Sequence, residues 1–198
     1  MVKVIGLTGS IAVGKSTVTH YLKNKGYVVL DADEISHHAL DQGTSCYQKV
    51  IKLFGCMDKE GNIDRKQLGN IVFQDQAKKK QLEDIIHPYV IDELKRGIQS
   101  CQDKLIFLDV PLLYEVHLEK LCDKVIVVYV DEMTQKERLM KRNSISGERA
   151  EMLMKQQISI EEKRKIADYV IDNRNTLKEL YINIERVLEV IKNEVIYE

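Results

Sequence analysis

The chain has 198 residues, enough for one domain with a subdomain inserted into it, and 44% of them are hydrophobic, enough to build a core. Charged residues make up 31% but cancel to a net charge of −1, which gives no global attraction to nucleic acid or to a membrane surface. No apolar run reaches the roughly 18 residues of a membrane span. The first residues pass straight into a strand, so no signal peptide is expected. Cys46, Cys56, Cys101 and Cys122 stand far apart and form no C-x-x-C pair, which predicts free thiols in a reducing cytoplasm and no metal centre built on them.

In chain order, residues 2–8 form a short β-rich run that reads as a buried strand. Gly9-Ser10-Ile11-Ala12-Val13-Gly14-Lys15-Ser16 follows, with the spacing G-x-x-x-x-G-K-[ST], and residues 17–25 then read as a helix closed by Gly26. Strand, glycine loop and helix is the context a phosphate-binding loop requires. Glycines let backbone N–H groups turn toward an anion, and the helix adds its positive end. Lys15 can reach the β- and γ-phosphates and the Ser16 hydroxyl can ligate Mg²⁺, so the loop predicts a nucleoside triphosphate ligand.

A second strand at 27–30 leads to Asp31-Ala32-Asp33, where Asp31 and Glu34 suggest a reciprocal cap on a helix running to Leu40. Residues 44–100 then change character. Tyr47, Val50, Ile51 and Phe54 recur at helical spacing, as do Leu68, Ile71 and Val72, then Leu82, Ile85 and Ile86, with a polar turn at 58–62. A helical insertion over 36–100 is expected. Strands resume at 105–110 and 124–130, near-continuous apolar runs suited to a sheet covered on both faces. A charged helical region over 132–165, broken near Ser144–Gly147, reads as a flap. A last strand at 169–171 precedes a helix whose apolar face is Leu177, Leu180, Tyr181, Ile184, Val187, Leu188, Ile191 and Val195. The class is α/β: a doubly wound parallel sheet with a helical insertion and a helical lid, in a single domain over 1–198.

Ligands of such sheets gather at the carboxyl ends of the strands. That places the glycine loop, Asp31, Asp33, Asp109 and Asp131 at the candidate site. Asp33 is either a second capping residue or a carboxylate that accepts a proton from an attacking hydroxyl. Asp109 is either a turn residue or the Mg²⁺-side acid of a phosphoryl-transfer site. The basic residues between Lys136 and Lys165, Lys163 among them, are interleaved with glutamates and so fit an ordinary solvated face. Arg138 and Arg142 nonetheless share a helix face and can close over a triphosphate. His87 precedes Pro88, which is expected to end or bend its helix. His37 and His38 are adjacent and cannot face one ligand from a helix. No aromatic array supports nucleic-acid binding.

Together these stretches resemble the dephospho-coenzyme A kinases. The matching pieces are residues 6–17, Asp31-Ala32-Asp33, Asp64-Arg65-Lys66-Gln67-Leu68-Gly69, Ile86-His87-Pro88, Val110-Pro111-Leu112-Leu113-Tyr114-Glu115, Arg138-Leu139-Met140-Lys141-Arg142-Asn143, and Ala167-Asp168-Tyr169-Val170-Ile171-Asp172-Asn173. The resemblance implies the five-stranded P-loop kinase fold and transfer of the ATP γ-phosphate to the ribose 3′-hydroxyl of dephospho-CoA. It implies that ATP lies on Gly9 to Thr17 with Arg138, Arg142 and Asn173, and that Ser16 serves the Mg²⁺. Thr8, Asp33, Arg65 and His87 are implied on the acceptor side, with Asp33 as general base and Lys15 and Arg142 as its catalytic partners. No protein partner is implied.

This sequence departs from that family at the loop, which usually reads Gly-Gly-Ile-Gly-Ser-Gly-Lys-Ser, whereas Ser10, Ala12 and Val13 stand here. A side chain at position 13 is compatible with phosphate binding only if it points away from the loop. Two rival readings are a kinase for another small hydroxylated acceptor and a nucleotide switch. The chain carries no Asn-Lys-x-Asp guanine-reading motif. Lys15→Ala is expected to abolish transfer without unfolding the protein.

Overall fold

The computed structural model describes residues 2–197, the side chains of Val195 and Tyr197 excepted, so the expected core position of Val195 lies outside the described side chains. Its sheet is built from β1 (Lys3–Gly9), β2 (Val28–Asp31), β3 (Leu105–Asp109), β4 (Lys124–Tyr129) and β5 (Tyr169–Asp172), in the order β2-β3-β1-β4-β5. β1 pairs in parallel with β3 (Lys3 beside Leu105) and with β4 (Ile5 beside Lys124), and β4 pairs in parallel with β5. Parallel neighbours require crossovers, which the helices supply. β1 is buried along its whole length, as is β3, and this is why both strands are mostly apolar. From β1 the chain crosses to the edge strand β2, comes back to β3 beside β1, and then passes β1 to β4 and β5. The carboxyl end of β1 is therefore the switch point at which such sheets bind ligands.

Helix α1 (Lys15–Asn24) packs on β1, burying Val18 and Leu22, and ends where Gly26 takes a φ of 84°. The last helix, α9 (Leu177–Tyr197), packs on β5. Its buried stripe is Leu180, Ile184, Leu188 and Ile191, each worth about 1.5–3 kcal/mol when withdrawn from water. The stripe is narrower than the sequence suggests. Leu177, at the first turn, is 54% exposed, and Tyr181 lies at the edge with its ring against Tyr21. The charged region breaks twice rather than once, into α6 (Glu132–Asn143), α7 (Gly147–Met154) and α8 (Ile160–Ile166). Ser144, with a φ of 52°, caps α6, and Ser159 opens α8 with a reciprocal capping box to Glu162.

The chain separates into two compact units, Met1–Leu30 with Cys101–Glu198, and Asp31–Ser100. The second contains α2 (Ala32–His38), α3 (Ser45–Phe54), α4 (Arg65–Gln74) and α5 (Gln76–Ser100). Its small core is Val50, Cys56, Ile63 and Leu68, ringed by Tyr47, Ile51, Phe54, Ile71, Val72, Leu82 and Ile85. The 58–62 turn is tied by Asp58, whose carboxylate accepts the N–H of Glu60 (2.9 Å) and of Asn62 (2.8 Å).

Of the two outcomes expected at Pro88, an end or a bend, the first does not occur: helix α5 does not stop at His87–Pro88 but continues with Pro88 inside it. Proline in a helix interior costs about 3 kcal/mol. Ile86, Val90 and Leu94 bury one face on both sides of it, and three such side chains at about 1.5–3 kcal/mol each outweigh that cost. Among the described residues, no helix is long and apolar enough to cross a membrane.

Candidate active site

The glycine loop joins β1 to α1, and two of its residues adopt the left-handed backbone: Ala12 at φ 64° and Gly14 at φ 88°. Such turns aim successive N–H groups into one concavity, ahead of the positive end of α1. Gly14 is doubly required, because a Cβ there would also collide with the Asn173 side-chain amide. A Cβ on Gly9 would approach Val13 Cγ2 to 2.6 Å. Val13 is only 1% exposed, its side chain packed into the core beside Gly9. The condition set by the sequence is therefore met, and Val13 takes no space from the loop's open side. Ala12, in contrast, holds a conformation that costs an L-residue about 1–2 kcal/mol.

Struts from elsewhere in the same unit hold the loop. Ile11 N–H donates to Gln157 Oε1 (2.8 Å) and its carbonyl accepts from Gln135 Nε2 (2.9 Å). Ser10 Oγ donates to the Ile158 carbonyl (3.2 Å), and Asn173 Nδ2 donates to the Val13 carbonyl (2.8 Å). Thr8, wholly buried, donates to the Pro111 carbonyl at 3.0 Å. Thr8 and Asn173 thus spend their side chains inside the protein, on the frame of the loop. Ser16 is exposed at the start of α1, and Thr17 N–H closes on the Gly14 carbonyl at 3.1 Å.

Lys15 forms an ion pair with Asp109, the last residue of β3, whose other oxygen accepts the Thr19 hydroxyl. Asp109 is 1% exposed, so it is a buried acid with assigned partners rather than a surface turn residue. Two residues on, the Pro111 carbonyl meets Lys163, whose side chain is fully buried and pairs with Glu115 at 2.8 Å. Burial pushes the Lys163 ammonium below its ordinary pKa, and Glu115 opposes that shift. Lys163 corrects the expectation of a wholly solvated charged flap: α8 turns Ile160 and Lys163 inward together. Their spacing of three residues was the available signal, but the two glutamates between them disguised it.

Arg138 Nη2 donates to the Asn173 carbonyl (2.9 Å), while Arg142, in the last turn of α6, is exposed and bonds only its neighbour Asn143 among the contacts described. Tyr129, at the end of β4, has Arg164 and Arg174 at its ring, 4.5 and 5.6 Å from the centroid. Its hydroxyl donates to Glu161, and that bond pushes its pKa up.

In the second unit, Asp31 caps α2 by accepting the N–H of Asp33 (3.0 Å) and of Glu34 (3.2 Å), the forward half of the expected reciprocal cap. The cap is thus Asp31, and the Asp33 carboxylate is exposed one position into the helix. Arg65 begins α4 and pairs with Asp41 at 2.8 Å. Asp41 lies below the usual carboxylate range, chiefly through its bond to His38. His87 is exposed on α5.

No group of three or more His, Cys, Asp or Glu is placed to hold a metal among the described residues. The oxygen donors that lie beside the loop, the Ser16 hydroxyl and the Asp109 carboxylate, suit Mg²⁺, which binds through one or two protein oxygens and takes phosphates and water for the rest.

Comparison with known proteins identifies the family. The family model for dephospho-CoA kinase matches residues 3–179. A dephospho-CoA kinase of Fusobacterium nucleatum is 45% identical over 192 residues, covering 96% of this chain and 99% of that one. One from Bacillus licheniformis is 44% identical over 199 residues, 98% of each. The structure of dephospho-CoA kinase from Campylobacter jejuni has a TM-score of 0.78 at 34% identity, covering 98% of this chain and 99% of that one. With that similarity running from β1 into α9, the chain belongs to the dephospho-CoA kinase family.

Proposed function

We propose that this chain moves the γ-phosphoryl group of ATP onto the ribose 3′-hydroxyl of dephospho-CoA, giving coenzyme A and ADP, with the following division of labour. The loop from Gly9 to Thr17 receives the phosphates on its N–H groups. Lys15 exchanges Asp109 for the β- and γ-phosphate oxygens. Ser16 and Asp109 would hold Mg²⁺, which would supply neutralising charge to the phosphates. Arg142, exposed at the end of α6, meets the charge that spreads over the transferring group. Arg138 and Asn173 brace the nucleotide side of the loop, and Thr8 sets the end of β1.

Asp33 takes the proton from the attacking 3′-hydroxyl, since the capping role belongs to Asp31. Arg65 and His87 hold the acceptor. Most of the rate comes from alignment, which can supply about 7–11 kcal/mol. The free cysteines fit a reducing cytoplasm, where we place the protein.

The observation that carries this reading is the Lys15–Asp109 pair at the loop. Its two members are the groups phosphoryl transfer needs for phosphate and metal, and they neutralise each other until ATP separates them. The test is ADP release from ATP with Mg²⁺, measured with and without dephospho-CoA. Release that requires dephospho-CoA is expected; slow release indifferent to it would favour a nucleotide switch.

A further inference from the structure

Lys163 is not needed by the mechanism above, yet its side chain is completely withdrawn from solvent. An ammonium has three donors and no acceptor, and here each finds an oxygen. They are Glu115 Oε1 at 2.8 Å, the Pro111 carbonyl at 3.2 Å and the Gly9 carbonyl at 3.4 Å. Gly9 is the first residue of the glycine loop, and Pro111 stands two residues beyond Asp109. The same acceptors recur in other contacts. Glu115 Oε1 also receives the Ile158 N–H (3.0 Å), and the Ile158 carbonyl receives Ser10 Oγ (3.2 Å). The Pro111 carbonyl also receives the Thr8 hydroxyl at 3.0 Å. Two closed rings result, one through Gly9, Ser10, Ile158, Glu115 and Lys163, the other through Thr8, Gly9, Lys163 and Pro111. Both rings pass through the entry to the phosphate loop.

We propose that Lys163 is a positioning residue for phosphoryl transfer: anchored on Glu115, it fixes the Gly9 and Pro111 carbonyls together, so the loop and the Asp109 strand end meet ATP already set. The inference rests on the reading of the loop as the ATP site. A buried ion pair is in itself weak evidence for stability, because apolar replacements are often as stable. Holding a geometry is the role left to it. Misplacement of reacting groups by about 1 Å can lower rate by about a hundredfold, so a loosened loop entry matters even though Lys163 touches no substrate.

The deciding variant is the pair Lys163→Met with Glu115→Gln, which removes the cation without leaving a buried anion behind. Thermal unfolding and steady-state kinetics for both substrates are measured beside the wild type. Unfolding close to wild type is expected, with kcat/KM for ATP down by about tenfold to a hundredfold and KM for dephospho-CoA unchanged within about twofold. Recovery of both stability and ATP kinetics in the double variant would overturn the proposal and leave the pair a core contact. If the double variant does not fold, Glu115→Gln alone decides. The same split at about threefold or more supports the role, and wild-type ATP kinetics refute it. A wild-type protein without dephospho-CoA-dependent ADP release would instead overturn the functional reading beneath it.

Discussion

Replacing Lys15 with alanine tests the site and its energetics together. From sequence, the change should remove transfer and leave the fold intact. The structure amends the second half, because Lys15 is the cation paired with Asp109, and the Asp109 side chain is only 2% exposed. Breaking a buried pair by removing one partner costs about 3–5 kcal/mol. Lys15 keeps 17% of its side chain in solvent and Thr19 still donates to Asp109, so the low end, about 3 kcal/mol, is the better figure. At about 2–4 °C per kcal/mol for a chain of this size, the midpoint should fall by about 6–12 °C. Adding Asp109→Asn should return most of that loss, since the neutral amide still meets Thr19. ATP with Mg²⁺ at about a hundred times Kd adds about 2.7 kcal/mol to the wild type and should add little to either variant. Scanning calorimetry with and without nucleotide reads all of these. A Lys15→Ala protein that melts like wild type would refute the pair's energetic role, and one that turns over normally would refute the loop assignment.

Other consequences follow from single residues. Asp33→Asn should lower kcat by about a hundredfold or more, with KM for ATP little changed, as fits a general base; weakened ATP binding at normal kcat would make Asp33 structural. Ala12→Gly should leave stability unchanged or raise it by about 0.5 kcal/mol, because relief at φ 64° offsets the usual entropic penalty of glycine. A clear fall in the unfolding midpoint would contradict that balance. Asp172 is held below its ordinary value of 3.8, first by its bond to Arg174 at 2.6 Å. Its contribution is therefore full above about pH 4 and is lost as pH falls through the lower folded value. Asp172→Asn should flatten the acid limb of the stability profile below pH 4, and an unchanged limb would show that the Arg174 bond contributes nothing.

Much of the architecture was legible because its causes are local. The strands at 105–110 and 124–130 announce themselves as runs buried on both faces, and the spacing of Gly9, Gly14, Lys15 and Ser16 carries its own geometry. What escaped depends on distant partners. Pro88 reads as a helix stop or bend, and only the burial of Ile86, Val90 and Leu94 explains why the helix continues through it. Lys163 reads as one more surface charge, and nothing in its neighbours names Glu115, Pro111 and Gly9 as its contacts. Asn173 could be placed after the last strand, but not its bond to the Val13 carbonyl, 160 residues away in sequence. Gln135 and Gln157, which grip Ile11 from either side, carried no signal beyond being polar.

The central claim is transfer to one hydroxyl, and phosphorus–proton correlation NMR of the product formed from ATP and dephospho-CoA tests it most directly. The account predicts one new monophosphate signal, coupled to the ribose 3′ proton, in amounts equal to the ADP released. A phosphate at any other position, or ADP released with only inorganic phosphate beside it, would contradict it.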